Sequence, residues 1–382
     1  MTETQANFIS LLRFAVCRAP LPEGFRVADA EALYRLAKTH DLAHLVGYAL
    51  RENGLLEPDA AGDARYDREE MLALWRVNVL EGALREVRDA LEAAGIDFLP
   101  LKGAVLRALY PEPWMRTSAD IDVLVRREDF LRAEQTLLDR LGGKRGYAGR
   151  HDHHIDLPSG FHVELHFALS EQQDAASELL HAVWDTAVPV REGAREHRMP
   201  DEMQYLYHVY HAASHLRRMS FGVRAALDTW LLCHRVAYDP AARRALLEQG
   251  GLARFSDALE ALAEAWFSGA TLDKRYLDAE ALFFTGGVYT GRHSLAAAQA
   301  KAGGGLGYVL ARAFPPRSTL REGYPVLERK PWLLPACWAH RLGKAALRGK
   351  AAAAQKELRA LNETRGLSRE LAEIFADIGL QD

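Results

Sequence analysis

The hydrophobic period of this chain changes abruptly after Gly95. Over residues 68–94, Leu80, Leu84, Val87, Leu91 and Ala94 recur at helical spacing, with charged residues on the opposite side. Gly95 then supplies a helix stop, and the apolar runs become short. "IDFLPLKG" (96–103) reads as a short strand, and "AVLRALY" as a short helix stopped by "PEP". "ADIDVLV" is a second strand, and "REDFLRAEQTLLDRLGG" a helix with a glycine end. "HHIDL" and "FHVELHFAL" flank "PSG" and read as a β-hairpin. Residues 63–195 are therefore expected to fold as a mixed α/β unit around a small sheet.

Helical patterns lie on both sides of this unit. Residues 1–62 include "EALYRLAKTHDLAHLVGYALRENG", with apolar residues at helical spacing and a stop at Asn53-Gly54. Beyond residue 200, strand signals nearly vanish; "DEMQYLYHVYHAASHLRRM", "GVRAALDTWLLCHRVA" and "RFSDALEALAEAWFSGA" are all helical. The expected class is α+β: a small mixed-sheet core (63–195) between a helical N-terminal segment (1–62) and a larger helical C-terminal part (196–382).

Composition narrows the possibilities. The chain has 382 residues, 49% of them hydrophobic, which suits an ordinary globular protein of two or three structural units. No run approaches the ~20 apolar residues of a membrane span, and "MTETQANFIS" lacks a basic signal-peptide start. The expectation is a cytoplasmic protein with no membrane partner. Cys17, Cys233 and Cys337 are too far apart for a disulfide framework or a zinc motif, and are expected to be buried thiols. A net charge of -4 at pH 7 singles out no partner class.

The chemistry concentrates in "WMRTSADIDVLVRRED". On a strand, Asp120 and Asp122 share one face, while Ile121, Val123 and Val125 share the other. Two carboxylates so close repel unless a cation lies between them, and Mg²⁺ prefers such hard oxygen ligands. Glu164 in "FHVELHFAL" lies between Val163 and Leu165, so it faces away from the core together with His162 and His166. A third acid of this kind would complete a metal site. Arg116, Thr117 and Ser118 precede the acid pair and are candidates for phosphate oxygens. Lys102-Gly103 sits between a strand and a helix, where glycine lets backbone N–H groups approach a phosphate.

The order "LPLKGAVLRALY…RTSADIDVLV…VELH" resembles the polymerase-beta-like nucleotidyltransferase superfamily, and within it a branch of uncharacterised bacterial nucleotidyltransferases with an "LKG" motif. The helical segments "HAASHLRRMSFGVRAALDTWLLC" and "YPVLERKPWLLPACWAHRL" are also similar to that branch. The resemblance implies a nucleotidyltransferase core in which Gly103 matches the glycine motif, Asp120 and Asp122 the metal-binding pair, and Glu164 the third acid. It implies Mg²⁺ or Mn²⁺ as cofactor and a nucleoside triphosphate such as ATP as substrate. A nucleoside monophosphate would pass to an acceptor with release of pyrophosphate. Lys102, Gly103, Arg116 and Ser118 are the expected nucleotide- and phosphate-binding residues. Two departures bear on triphosphate binding: Ala104 stands where many members carry serine or a second glycine, and the gap from Gly103 to Asp120 is long. Lys102 or Ser118 could supply the missing contact. Lys102 is equally readable as a surface lysine, and Arg116 as half of an ion pair.

Other readings compete. His151, His153 and His154 of "HDHH" straddle both faces of a strand and are not expected to converge on zinc. His208, His211 and His215 share a helix face and read best as core or interface residues. "THDLAH" with Asp228 hints at a metal-dependent phosphohydrolase, without the further histidines that class needs. A non-catalytic, partner-binding α/β module is the third alternative. The acceptor stays open among a small molecule, a peptide or protein, and tRNA, as does the oligomeric state. Arg312, Arg317, Arg321, Arg329, Lys330, Arg341, Lys344, Arg348 and Lys350 make the C-terminal part locally basic, as either a solvated face or an anion-binding one.

Overall fold

The computed structural model describes residues 1–56, 63–218, 222–285, 310, 313–320, 324, 326–347 and 365–380. They divide into two compact units, one of residues 1–212 with 222–284, the other of 213–221 with 285–382. The N-terminal helices and the sheet belong to the same unit.

In the first unit, helices α1 (Glu3–Cys17), α2 (Ala30–Thr39) and α3 (Ala43–Glu52) precede the long α4 (Asp63–Ala93). Helix α4 starts earlier than its apolar stripe suggests, because "DARYD" continues the helix as a polar first turn. Strand β1 (Phe98–Pro100), the one-turn α5 (Gly103–Leu106), β2 (Asp120–Val125) and α6 (Phe130–Leu141) follow. Gly142 closes α6 at φ 63°, a left-handed conformation that glycine adopts without steric cost. Next come β3 (Lys144–Ala148), β4 (Asp152–Asp156) and β5 (His162–His166), then α7 (Ala175–His181), α8 (Val183–Thr186) and a two-stranded ribbon of β6 (Val188–Pro189) and β7 (His197–Arg198). Helices α9 (Asp201–Arg217), α10 (Val223–Arg235), α11 (Pro240–Gln249), α12 (Ala253–Phe267) and α13 (Leu277–Thr285) complete the series.

The main sheet is mixed, with strand order β1-β2-β5-β4-β3. Strands β2 and β5 run parallel, and the other neighbours antiparallel. One face is apolar: Ile121, Val123 and Val125 of β2, Val163 and Leu165 of β5 and Ile155 of β4 cluster with Leu84, Val87 and Leu91 of α4 and Ala133 and Leu137 of α6. Each large aliphatic side chain buried there contributes about 1.5–3 kcal/mol. With two helices covering this face, the polar residues of β2, β5 and β4 are left on the other.

The sequence reading missed three strands. All five residues of β3 are exposed, so the strand carries no alternating apolar signal. The β6–β7 ribbon is two residues per strand. The three cysteines are free, as expected, but only Cys337 is fully buried.

In the second unit the described residues form α14 (Arg317–Leu320), α15 (Val326–Arg329), α16 (Leu334–Leu347) and α17 (Arg365–Asp377). Leu320, Leu327 and Cys337 make a small core there. Of the basic residues noted above, Arg317, Arg329 and Lys330 are exposed, whereas Arg312, Arg321, Arg348 and Lys350 lie outside the described residues. Among the described residues, no helix is long and apolar enough to cross a membrane.

Candidate active site

Parallel pairing sets Asp120 opposite His162, Asp122 opposite Glu164, and Leu124 opposite His166. Antiparallel pairing on the other side of β5 sets His154 opposite Glu164 and Asp152 opposite His166. Because directly paired residues point to the same face, Asp120, Asp122, Glu164, His162, His166, Asp152 and His154 form one polar surface opposite the apolar core. The three acids thus share one face, and Asp122 and Glu164 also fall in one group of closely spaced donors.

Lys102 enters this surface from the β1–α5 turn. Its Nζ is 2.6 Å from Asp122 Oδ1 and 3.8 Å from Glu164 Oε2. The Ala104 N–H donates to the Leu101 carbonyl at 3.1 Å, closing a tight turn, and the Leu101 N–H donates to the Asp122 carbonyl at 3.0 Å. Lys102 occupies the second turn position at φ 43°, ψ -110°, a region that favours glycine. A side chain there costs about 1–3 kcal/mol, which the ion pair with Asp122 helps to offset.

The charges are unevenly distributed. Burial opposes ionisation of Asp122, but the Lys102 ammonium and a 2.9 Å hydrogen bond from His166 Nε2 outweigh it and hold this carboxyl well below the usual range. Burial and the Asp122 charge push Asp120 up to about 6. Around Glu164 Oε1 lie His154 Nε2 at 3.4 Å and His162 Nε2 at 3.6 Å. The neighbouring Glu164 carboxylate raises the His162 pKa. Tyr207 of α9, which the sequence reading missed, is buried in the same field; burial first, then the acids, pushes its phenol up.

The remaining expected residues shape the turn beside β2. A Cβ on Gly103 would come within 3.0 Å of Ser118 Oγ and 3.2 Å of Arg116 Nη1. Ser118 Oγ accepts from Arg107 Nη2 at 3.1 Å and donates to the Asp120 carbonyl at 3.3 Å. Arg116 takes the ion-pair course: Nε and Nη2 donate to Asp228 Oδ1 and Oδ2 at 2.9 and 3.0 Å. Tyr110 also donates to Asp228 Oδ1, at 2.7 Å. Arg224, one turn earlier on α10, donates to the Thr117 carbonyl at 3.1 Å and to Asp41 Oδ2 at 2.8 Å. No local sequence signal linked Asp228 and Arg224 to residues 116–118.

The histidines of "HDHH" straddle the two sides of the sheet. His153 does point to the core side, where Nδ1 meets Glu134 Oε1 at 2.8 Å. His151 and His154 lie on the polar side but in separate groups, His151 with Asp152 and His166 and His154 with His162 and Glu164, so the three histidines do not meet at one point, as expected. The strand-pairing partner decides this, and the strand's own alternation does not reveal it. His44 is buried, with Nε2 3.2 Å from the Met115 carbonyl, and His208 is buried against Thr229 at 2.8 Å. Among the described residues, the groups of histidines and acids spaced to hold a metal ion are Asp122–Glu164–His166, His154–His162–Glu164 and His151–Asp152–His166.

Fold and site together define the class: an α+β protein whose small mixed sheet presents paired acids from parallel strands on the face opposite its apolar core. The chain belongs to the family described as uncharacterised nucleotidyltransferase, whose sequence model matches residues 26–268. That span takes in the whole main sheet and α10, which carries the Arg116 partner. Comparison with curated proteins and with solved structures found no match.

Proposed function

We propose that this protein transfers a nucleoside monophosphate from a nucleoside triphosphate to an acceptor hydroxyl or phosphate, with a divalent cation held by Asp120, Asp122 and Glu164. The observation that carries this reading is the register of β2 and β5, which sets Asp122 directly opposite Glu164 with Asp120 on the same face. The residues fit a cation: a tethered ammonium, that of Lys102, already reaches both Asp122 and Glu164. Three hard oxygen donors suit Mg²⁺ or Mn²⁺. Bound there, the ion would neutralise charge that builds on the α-phosphate in the transition state.

The other residues act around that centre. His166 donates from Nε2 to Asp122 and fixes the carboxylate orientation. Lys102, Gly103 and Ser118 line the turn where triphosphate oxygens would lie, and Lys102 supplies the positive charge. Arg116 acts by holding this turn to Asp228. In the reaction an acceptor oxygen forms a bond to the α-phosphorus and gives up its proton to solvent, the bond to the bridging oxygen breaks, and pyrophosphate leaves with that electron pair. Glu164 serves better as a cation ligand than as a lone base, since an isolated carboxylate beside Asp122 would suffer its repulsion. The acceptor is a small molecule, a peptide or protein, or tRNA.

The test is pyrophosphate release from each nucleoside triphosphate with Mg²⁺ or Mn²⁺ and cell lysate, with mass spectrometry of the products. An adduct heavier by one nucleoside monophosphate is expected. No release with any triphosphate would instead favour a partner-binding role.

A further inference from the structure

We propose a second metal site on this sheet, built by His151, Asp152 and His166 and taking a borderline divalent transition ion such as Zn²⁺. One donor atom from each of the three residues lies within 4.8 Å of the others. Asp152 and His166 are paired directly across β4 and β5. The Phe167 N–H donates to the His151 carbonyl at 2.9 Å, which extends the pairing and brings His151 alongside. The His151 and His166 ring centroids are 5.4 Å apart. The His166 and Asp152 side chains are 4% and 10% exposed, and that of His151 is 24% exposed.

The independent observation is a pair of orphaned nitrogens. His166 Nε2 lies 2.9 Å from Asp122 Oδ1, and since an ionised carboxylate only accepts, Nε2 carries the proton. In the neutral ring, Nδ1 is then a bare lone pair. That Nδ1 is buried without a hydrogen-bond partner, and so is Nδ1 of His151. A buried polar atom left unsatisfied is destabilising. A cation joined by the Asp152 carboxylate would satisfy both nitrogens. Glu171 Oε1, 3.3 Å from His151 Nδ1, offers a further oxygen.

The donor types select the ion. Two imidazoles with one or two carboxylates suit Zn²⁺ and its neighbours, whereas Mg²⁺ takes oxygen ligands. A metal-bound histidine usually gives its other N–H to a carboxylate, and here that carboxylate is Asp122. One imidazole would thus join this ion to the proposed catalytic acid. The adjacent trio of His154, His162 and Glu164 lacks the same signature, because none of its ring nitrogens is among the buried atoms left without a hydrogen-bond partner.

The site is tested without nucleotide, so its outcome is separate from that of the transfer reaction. The metal-free full chain is titrated with Co²⁺, followed by visible absorption, and the ion is then displaced with Zn²⁺. With excess Mg²⁺ present to fill the oxygen site of Asp120, Asp122 and Glu164, wild type should bind one Co²⁺ per chain. Loss of a mere outer-shell partner costs about 10- to 100-fold in metal affinity, so His151→Ala should weaken Zn²⁺ binding by about a hundredfold. Asp152→Asn, which keeps the side-chain volume, should do the same and decides the matter should His151→Ala lose its native circular dichroism. Asp120→Asn and His162→Ala should stay within about twofold of wild type, because neither removes a ligand of this site. The proposal is overturned by absence of a Co²⁺ band in wild type, or by wild-type Zn²⁺ affinity in the folded His151 and Asp152 variants. A loss in Asp120→Asn or His162→Ala as large as that in His151→Ala would place the ion elsewhere and also overturn it.

Discussion

Asp122 and Glu164 face one another across the parallel β2–β5 pair, and the Lys102 ammonium reaches both, at 2.6 and 3.8 Å. A lysine held there by a strained turn does two things. It neutralises part of a crowded acidic surface, and it competes with any metal ion for the same oxygens.

Asp122→Asn is expected to lower nucleotidyl transfer by about a thousandfold or more, since the amide keeps the shape but removes the charge a cation needs. Pyrophosphate release measures the loss, and circular dichroism should show the fold retained. Near-normal activity would remove Asp122 from the mechanism.

Lys102→Met separates the two roles of the lysine. Divalent-cation affinity should rise by about tenfold, because a competing positive charge beside the acids is gone. The KM for the triphosphate should rise at the same time, as a phosphate contact is lost. Calorimetry with Mn²⁺ and steady-state kinetics report the two effects independently; a fall in Mn²⁺ affinity would contradict this account.

The buried Arg116–Asp228 pair, 112 residues apart in sequence, ties the turn before β2 to α10. Breaking it with Asp228→Asn should cost about 3–5 kcal/mol, because the guanidinium is left buried without its counter-charge. Chemical denaturation gives the value, and a cost under about 1 kcal/mol, the range of an exposed pair, would mean that the guanidinium finds solvent.

Three buried histidines predict an acid-sensitive fold. Burial, above all, pulls His40, His44 and His208 down to about 4. The unfolded chain takes up protons near pH 6.5, whereas the folded chain resists until about pH 4. Between those values the unfolded state holds more protons, so stability falls as pH falls, by up to about 1.4 kcal/mol per pH unit for each histidine. Urea midpoints at pH 7 and pH 5 should show this decline. His208→Gln should make the slope shallower, and an unchanged slope would argue against a neutral buried His208.

Much of the site was legible before any coordinates. Strand alternation alone put Asp120 and Asp122 on one face and Ile121, Val123 and Val125 on the other, because side chains on a strand repeat with a period of two. The same rule assigned Glu164 a side. The helix stripes and the glycine ends located α4 and α6 and their C-terminal ends, though not the start of α4, and the change of period at Gly95 located the sheet.

Tertiary structure decided which strand lies beside which, and so which acids meet. Pairing β2 with β5 in parallel needs a long crossover, and no local pattern encodes its register. That register set Asp122 against Glu164, brought His151 next to His166, and left room for Lys102 between the carboxylates. The commitment of Arg116 to Asp228 was equally hidden, since a buried charge finds its partner wherever the folded backbone places one. Sequence determined the face each side chain takes along its own strand; only the folded chain determined its neighbours across strands, because those contacts depend on distances between residues far apart in sequence.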